Sequence, residues 1–129
     1  MLRRGLIFLG SDDSEGAPAL EGQALSVGCR VELVRKRSPW GKRSDLVRVI
    51  VGADPLRADV LLTGAALMPE HARFYFHPEK SDTTDFRPLH PGCVRVNGRV
   101  PETLEWVRLL GGEELALGPL RFRYEELEP

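Results

Sequence analysis

The chain has 129 residues, of which 42% are hydrophobic and 29% are charged, and this size and composition are typical of one globular domain with a single modest core. Lysine and arginine number 18 against 19 aspartates and glutamates, so the formal net charge is -1. This balance excludes a global electrostatic attraction to nucleic acid or to an anionic membrane, and a charged partner must be recognised locally. No apolar run approaches the roughly 20 residues of a membrane-crossing helix, so we expect no membrane insertion.

The first ten residues place two arginines before a short apolar stretch, which then runs directly into acidic residues. The stretch is too short for a signal peptide, so it is predicted to be a strand of the mature protein. Residues 12–22 are small, acidic and interrupted by glycine and proline, which indicates a mobile loop. We therefore expect residues 1–28 to form an amino-terminal strand and a mobile loop, and residues 29–129 to form the main domain.

Apolar and polar residues alternate along much of the remaining chain, as in half-buried strands. The segments with this pattern are 29–33, 73–77, 93–96 and 120–124. Two runs of mainly apolar residues, 46–51 and 59–62, suit inner strands. Turn residues separate these segments, and Asn97-Gly98 is the strongest hairpin signal. Many short strands, with 10 prolines and 13 glycines, predict an all-β sandwich or small barrel.

The cysteines and histidines lack the spacing of a metal site. Cys29 and Cys93 lie far apart, so they form either a disulfide or, as we favour, two buried free thiols of a reducing cytoplasm. His71, His77 and His90 form no pair with zinc-ligand spacing. We expect no metal and no cofactor.

Catalytic signatures are also missing from the sequence. There is no G-x-S-x-G nucleophile elbow, no phosphate-binding P-loop and no paired-carboxylate motif. We therefore predict that the chain is not an enzyme and has no small-molecule substrate.

Positive charge is concentrated around one tryptophan between residues 35 and 43. The residues of this basic tip are Arg35, Lys36, Arg37, Trp40, Lys42 and Arg43. Such a cluster can contact a phosphate backbone and stack a base, which makes nucleic-acid binding an alternative function. With the net charge near zero, we favour a solvated hairpin tip whose Trp40 caps the sandwich. The same tip would also suit an acidic partner segment.

Trp106 alternates with Leu104 and Arg108 along its segment, a pattern compatible with a position on a sheet surface. Core packing is the slightly favoured interpretation. An exposed Trp106 would instead mark a lateral protein-binding face, with Tyr75 as a neighbour, because exposed aromatic residues are common anchors of interfaces.

Several short motifs follow one another in a diagnostic order. They are Val51-Gly52-Ala53-Asp54, Ala58-Asp59-Val60-Leu61-Leu62, Pro69-Glu70-His71-Ala72, Val96-Asn97-Gly98 and 112–118. This order resembles a forkhead-associated (FHA) domain, over roughly Arg30 to Tyr124. The resemblance implies a two-sheet antiparallel β-sandwich whose loops at one end grip a phosphothreonine peptide.

The side chains that hold phosphate in that family have no counterparts here. Ala53 replaces the arginine of the family's Gly-Arg pair, Met68 replaces the serine of Ser-Arg-x-His-Ala, and Gly92 stands in place of the asparagine that fixes the bound peptide. These residues have no side-chain donors for a group that carries about two negative charges. The resemblance is therefore to a degenerate FHA domain.

The resemblance also implies roles for the remaining candidate residues. The expected loop-bracing residues are Gly52, His71 and Gly98. The expected binding residues of the apical loops are Arg57, Met68, Glu70, Gly92, Arg95 and Asn97. Arg57 is a candidate substitute donor for phosphate, as is Arg95 or Arg99.

The predicted function is a non-enzymatic, cytoplasmic protein-interaction module that docks a protein partner without phosphate, in signalling or assembly. The first alternative is phosphothreonine-peptide recognition, with a phosphoprotein partner, through substitute donors such as Arg57. The second is nucleic-acid contact through residues 35–43.

Overall fold

The computed structural model describes residues 3–12, 17–36, 46–77 and 83–128, which form strands and connecting loops with no helix among them. The strands are β1 (Arg3–Ser11), β2 (Ala19–Leu20), β3 (Gln23–Ala24), β4 (Arg30–Glu32), β5 (Val47–Gly52), β6 (Val60–Thr63), β7 (Ala72–Phe76), β8 (Thr84–Pro88), β9 (Val94–Val96), β10 (Val107–Leu109), β11 (Glu114–Leu117) and β12 (Leu120–Leu127).

The strands form two sheets. One has five strands in the order β4-β1-β12-β11-β9, and the other has seven in the order β10-β8-β7-β5-β6-β2-β3. This confirms the predicted all-β, two-sheet sandwich. One pair of strands departs from the antiparallel expectation. β5 and β6 run parallel, with Val51 opposite Val60. Residues 53–59 connect the two strands so that β6 runs in the same direction as β5.

The core lies between the inner faces of the two sheets. The alternation along β7 and β8 places Phe74 and Phe86 on the inner face, where their ring centroids are 4.8 Å apart. The five-stranded sheet contributes Phe8 and Phe122, with centroids 5.5 Å apart, and the fully buried Tyr124. Burial of such aromatic side chains supplies much of the hydrophobic stabilisation of a small domain.

The amino-terminal strand is an inner strand of its sheet. β1 lies between β4 and β12, and its inward residues Leu6 and Phe8 are buried. The segment predicted as a loop over 12–22 contains β2, in which Leu20 pairs with Leu62 of β6. This pairing depends on a distant strand, so local composition did not reveal it. Residues 13–16 of that segment lie outside the described residues.

The Asn97-Gly98 hairpin forms as predicted. Both residues have positive φ, 49° and 82°, and Val96 and Arg99 exchange backbone hydrogen bonds of 2.8 and 3.0 Å across the turn. Asparagine and glycine tolerate this left-handed conformation, which matches the twist of a two-residue β-hairpin.

The slightly favoured placement of Trp106 in the core is wrong. The side chain is 53% exposed, because the inward positions of this segment begin only with Val107 and Leu109 of β10. Trp106 precedes the strand and packs on the outer face of the seven-stranded sheet, against Tyr75.

Candidate functional site

Three connecting segments meet at one end of the sandwich, and we call them the apical loops: residues 53–59, 64–71 and 89–93. The first two are joined through their backbones. The amide of Ala53 donates to the carbonyl of Met68 at 3.0 Å, and the amide of Asp54 donates to the carbonyl of Pro69 at 3.2 Å. These bonds hold the two loops in fixed register.

Gly52 permits this close approach. A Cβ atom at this position would lie 2.0 Å from the carbonyl oxygen of Pro69, far closer than a Cβ atom approaches an unbonded oxygen. The backbone of Gly52 does not need positive φ, so the requirement for glycine comes from lack of space alone. Any larger residue must push the loop of residues 64–71 away.

His71 connects the second and third apical loops from within. The residue is 2% exposed. The amide of Met68 donates to Nδ1 at 3.2 Å, and Nε2 lies 2.6 Å from the carbonyl oxygen of Cys93. These partners require the neutral tautomer with hydrogen on Nε2, because Nδ1 must accept while Nε2 donates.

Burial holds the pKa of His71 below its ordinary value, although the hydrogen bond to the Cys93 carbonyl acts in the opposite direction. A proton added at Nδ1 would also turn an acceptor into a donor facing the amide of Met68. The neutral ring is therefore the form that holds the loops together.

Three residues of the apical loops, which the sequence predicts to stand in place of phosphate-binding side chains, carry no side-chain donors. Ala53 and Gly92 have no functional group, and Met68, which is 44% exposed, presents a thioether. Gly92 has a φ of +68° and open space where a side chain would project. At these three positions the apical loops offer only backbone groups, a methyl group and a thioether.

The charged side chains of the apical loops are tied to one another. Glu70 accepts from Arg57 at 3.4 Å and from Arg73 at 3.2 Å. Arg57 also lies 3.7 Å from Asp54, whose carboxylate accepts the amide of Leu56 at 2.9 Å. Two carboxylates thus stand beside Arg57, the first candidate substitute donor, and they repel an incoming anion.

His90 adds a further link between the apical loops. Its Nε2 lies 3.0 Å from the carbonyl oxygen of Glu70, so the loop of residues 89–93 contacts the loop of residues 64–71 at a second point. The sequence marked His90 only as a loop residue. Its contact depends on the packing of two loops and leaves no local signal.

Arg95 and Asn97, grouped with the apical residues on the basis of sequence, lie elsewhere. Arg95 belongs to β9, pairs with Ala116, and lines a shallow depression on the outer face of the five-stranded sheet. Asn97 follows the end of β9 remote from residues 89–93, and its side-chain oxygen accepts the amide of Glu114 at 2.9 Å. Gly98 belongs to the same hairpin.

Two residues of the basic tip are described, Arg35 and Lys36, whereas Arg37, Trp40, Lys42 and Arg43 lie outside the described residues. The backbone amide of Lys36 donates to the carboxylate of Asp59 at 2.9 Å. The side-chain ammonium of Lys36 lies 3.7 Å from the carboxylate of Glu21. The backbone at the start of the tip is therefore fixed to the β-sandwich.

Cys29 and Cys93 are unpaired and half-buried. Among residues 3–12, 17–36, 46–77 and 83–128, no three histidine, cysteine, aspartate or glutamate side chains are placed to hold a metal ion. The same part of the chain contains no helix that is long and apolar enough to cross a membrane.

No protein-family model matches the sequence, and no curated protein matches it. Solved structures do match. The FHA domain of CT664 protein from Chlamydia trachomatis has a TM-score of 0.64 and 22% identity, over 98% of this chain and 99% of that one. The cytoplasmic domain of the T3SS sorting platform protein PscD from P. aeruginosa has a TM-score of 0.60 and 20% identity, over 98% and 82%.

A third similar structure is the yeast Dun1 FHA domain in complex with a doubly phosphorylated peptide derived from Rad53 SCD1. Its TM-score is 0.60 and its identity 13%, over 98% of this chain and 75% of that one. The matched length covers both sheets and the apical loops described above. By its fold, this chain is therefore an FHA-like domain.

Proposed function

We propose that the chain is a protein-interaction module without catalytic activity, and that it docks its partner without requiring phosphate. The observation that carries this proposal is the chemistry of the apical loops. Ala53, Met68 and Gly92 offer no side-chain donors, and Arg57 is paired with the carboxylates of Asp54 and Glu70.

The free energy of the missing hydrogen bonds decides between phosphate-dependent and phosphate-independent recognition. A hydrogen bond to a charged group contributes about 1.5 to 3 kcal/mol, so three lost donors remove roughly 5 to 9 kcal/mol. A micromolar complex has only about 8 kcal/mol of binding free energy in total. The two nearby carboxylates weaken phosphate binding further. Ala53, Met68 and Gly92 therefore do not supply the donors that selective recognition of phosphothreonine needs.

The similar structures are compatible with both forms of recognition. One of them holds a phosphorylated peptide, and another is part of the sorting platform of a T3SS. A phosphate-independent role in assembly agrees better with apical loops in which Ala53, Met68 and Gly92 offer no side-chain donors. A cytoplasmic location, expected from the unpaired cysteines, stays a prediction, as does nucleic-acid contact through residues 35–43.

A phosphate-dependent function remains the second candidate because of one feature of Arg57. Its side chain is 68% exposed, and its contacts with Glu70 and Asp54 are 3.4 and 3.7 Å long. Exposed ion pairs of this kind contribute about 0 to 1 kcal/mol, so Arg57 can leave them for a stronger partner. Replacing Arg57 by alanine would abolish a phosphate preference that depends on it.

A peptide array with matched threonine and phosphothreonine members tests the proposal. We expect the affinity for each matched pair to differ by less than about threefold, since no donor distinguishes the two forms. A preference for phosphate above about tenfold, lost in the Arg57→Ala variant, would establish the second candidate instead. His77→Ala, at the end of β7 remote from the apical loops, is the control variant.

A further inference from the structure

The outer face of the seven-stranded sheet carries a row of polar residues that cross four strands. Arg48 of β5 is paired with Tyr75 of β7, Tyr75 with Asp85 of β8, and Asp85 with Arg108 of β10. Arg108 lies 3.3 Å from Asp85. No ion pair of Arg48 occurs with the residues that the structure describes. The row therefore ends in an exposed cation.

A second row places two arginines side by side. Arg73 of β7 is directly opposite Arg87 of β8, an arrangement that is unfavourable for like charges. Each finds another partner: Arg73 lies 3.2 Å from Glu70, and Arg87 donates to the carbonyl of Leu104 at 2.9 Å. The two arginines therefore lie side by side in the folded state although they do not attract each other.

Trp106 lies beside this pair and is held in place. The guanidinium of Arg87 is 4.3 Å from the centroid of the indole, and Tyr75 meets the same ring at 4.9 Å with an interplanar angle of 64°. The side chain is nevertheless 53% exposed. An exposed tryptophan fixed by a cation–π contact loses little side-chain entropy on binding, which suits an interface anchor.

We call this surface the arginine–tryptophan face. It consists of Arg48, Arg73, Tyr75, Arg87, Trp106 and Arg108. Among the described residues, the ion pairs of its four arginines involve two carboxylates, Asp85 and Glu70. The chain as a whole has a net charge of -1, so the positive charge of this face is local.

From this charge distribution we infer that the arginine–tryptophan face docks an acidic segment of the protein partner. The inference rests on the proposed function, and it names the surface and the chemistry of the partner. Arginine binds carboxylates through two parallel N–H groups, and tryptophan, tyrosine and arginine are the residues that most often dominate interface energetics. Aspartate and glutamate side chains of the partner would meet Arg48, Arg73 and Arg87 while an adjacent apolar side chain packs on Trp106.

The test uses three labelled probes with the full chain: a peptide rich in glutamate and aspartate that also contains leucine, its glutamine and asparagine counterpart, and a single-stranded oligonucleotide of equal charge. Fluorescence anisotropy measures each affinity at low and at high salt. We expect binding of the acidic peptide only, weakened by salt because its contacts are ionic. Tighter binding of the oligonucleotide, or no binding of the acidic peptide at low salt, would overturn the inference.

Variants locate the binding surface. We expect the Arg73→Gln/Arg87→Gln double variant to weaken binding of the acidic peptide by about tenfold or more, and Trp106→Ala to have a similar effect. The matched control is Arg123→Gln, on the outer face of the other sheet, which removes one exposed arginine and should change little. An equal loss in the control would show non-specific attraction and would refute the inference.

Two further outcomes are informative. If a variant fails to fold, as judged by circular dichroism, Arg48→Gln/Arg108→Gln replaces it, because both side chains are exposed. The acidic residues Glu125, Glu126 and Glu128 of a second copy of the chain could also bind this face. Self-association through these residues would overturn the inference of a separate protein partner. Selective phosphopeptide binding sensitive to Arg57→Ala would instead refute the proposed function, whereas phosphate-independent capture unaffected by Arg87→Gln would refute this inference alone.

Discussion

Replacing His71 by alanine should loosen the apical loops at a cost that the structure allows us to estimate. The change removes the acceptor for the Met68 amide and the donor to the Cys93 carbonyl. The carbonyl keeps the amide of Gly118 at 3.0 Å, but no other hydrogen-bond partner of the Met68 amide occurs among the described residues. One orphaned donor costs about 1 to 3 kcal/mol, and the second lost bond adds about 1 kcal/mol.

We therefore expect His71→Ala to lower the free energy of unfolding by roughly 2 to 4 kcal/mol, measured by urea denaturation. His77→Ala is the control, because His77 is only half-buried and lies at the end of β7 remote from the apical loops. A loss below about 0.5 kcal/mol for His71→Ala, or an equal loss for both variants, would refute the bracing role.

The same residue makes stability depend on pH. Burial keeps the folded-state pKa of His71 below the ordinary value of 6.5, so the unfolded chain binds a proton more readily. The stabilisation is complete at pH values above 6.5 and is lost as the pH falls from 6.5 toward the folded-state pKa. We expect the free energy of unfolding to fall less between neutral and mildly acidic pH in His71→Gln than in the parent. Parallel curves would contradict this.

Three other substitutions have defined outcomes. Gly52→Ala should destabilise the domain by about 2 kcal/mol or more in urea denaturation, because the added methyl group meets a backbone carbonyl of the neighbouring loop; unchanged stability would show that the loops separate freely. Asn97→Ala should cost about 1 kcal/mol, since it removes a hydrogen bond and the tolerance for positive φ; a gain in stability would contradict the hairpin's role. The triple variant Ala53→Arg, Met68→Ser, Gly92→Asn should acquire a calorimetrically measurable preference for phosphothreonine peptides; continued indifference would show that more than these donors is missing.

The strands were predictable wherever local alternation matched burial in the final fold. In β7 and β12, apolar residues at every second position identify the inner face without any tertiary information. The Asn97-Gly98 turn was equally clear, because the positive φ values that it needs are a local property. The order of motifs then indicated the FHA-like fold that the solved structures confirm.

Features that depend on distant neighbours were not predictable. β2 forms because β6 offers a free edge, and its two residues alone carry no strand signal. Trp106 alternates with Leu104 and Arg108, a pattern that left both core and surface open; it lies on the outer face, since Val107 and Leu109 take the inward positions.

The candidate site shows the same limit. Sequence order grouped Arg95 and Asn97 with the apical loops, but β9 carries them away from those loops. The contacts of Glu70 with Arg57 and Arg73 join residues from different segments, and only the folded chain brings them together.

The most direct measurement is an NMR titration of the isotopically labelled chain with a phosphothreonine peptide and with its unmodified counterpart. If the apical loops cannot hold phosphate, the amide signals of Ala53, Met68 and Gly92 should respond alike to both peptides. Saturable shifts of these amides with the phosphorylated peptide alone, with a dissociation constant below about 100 micromolar, would contradict the account.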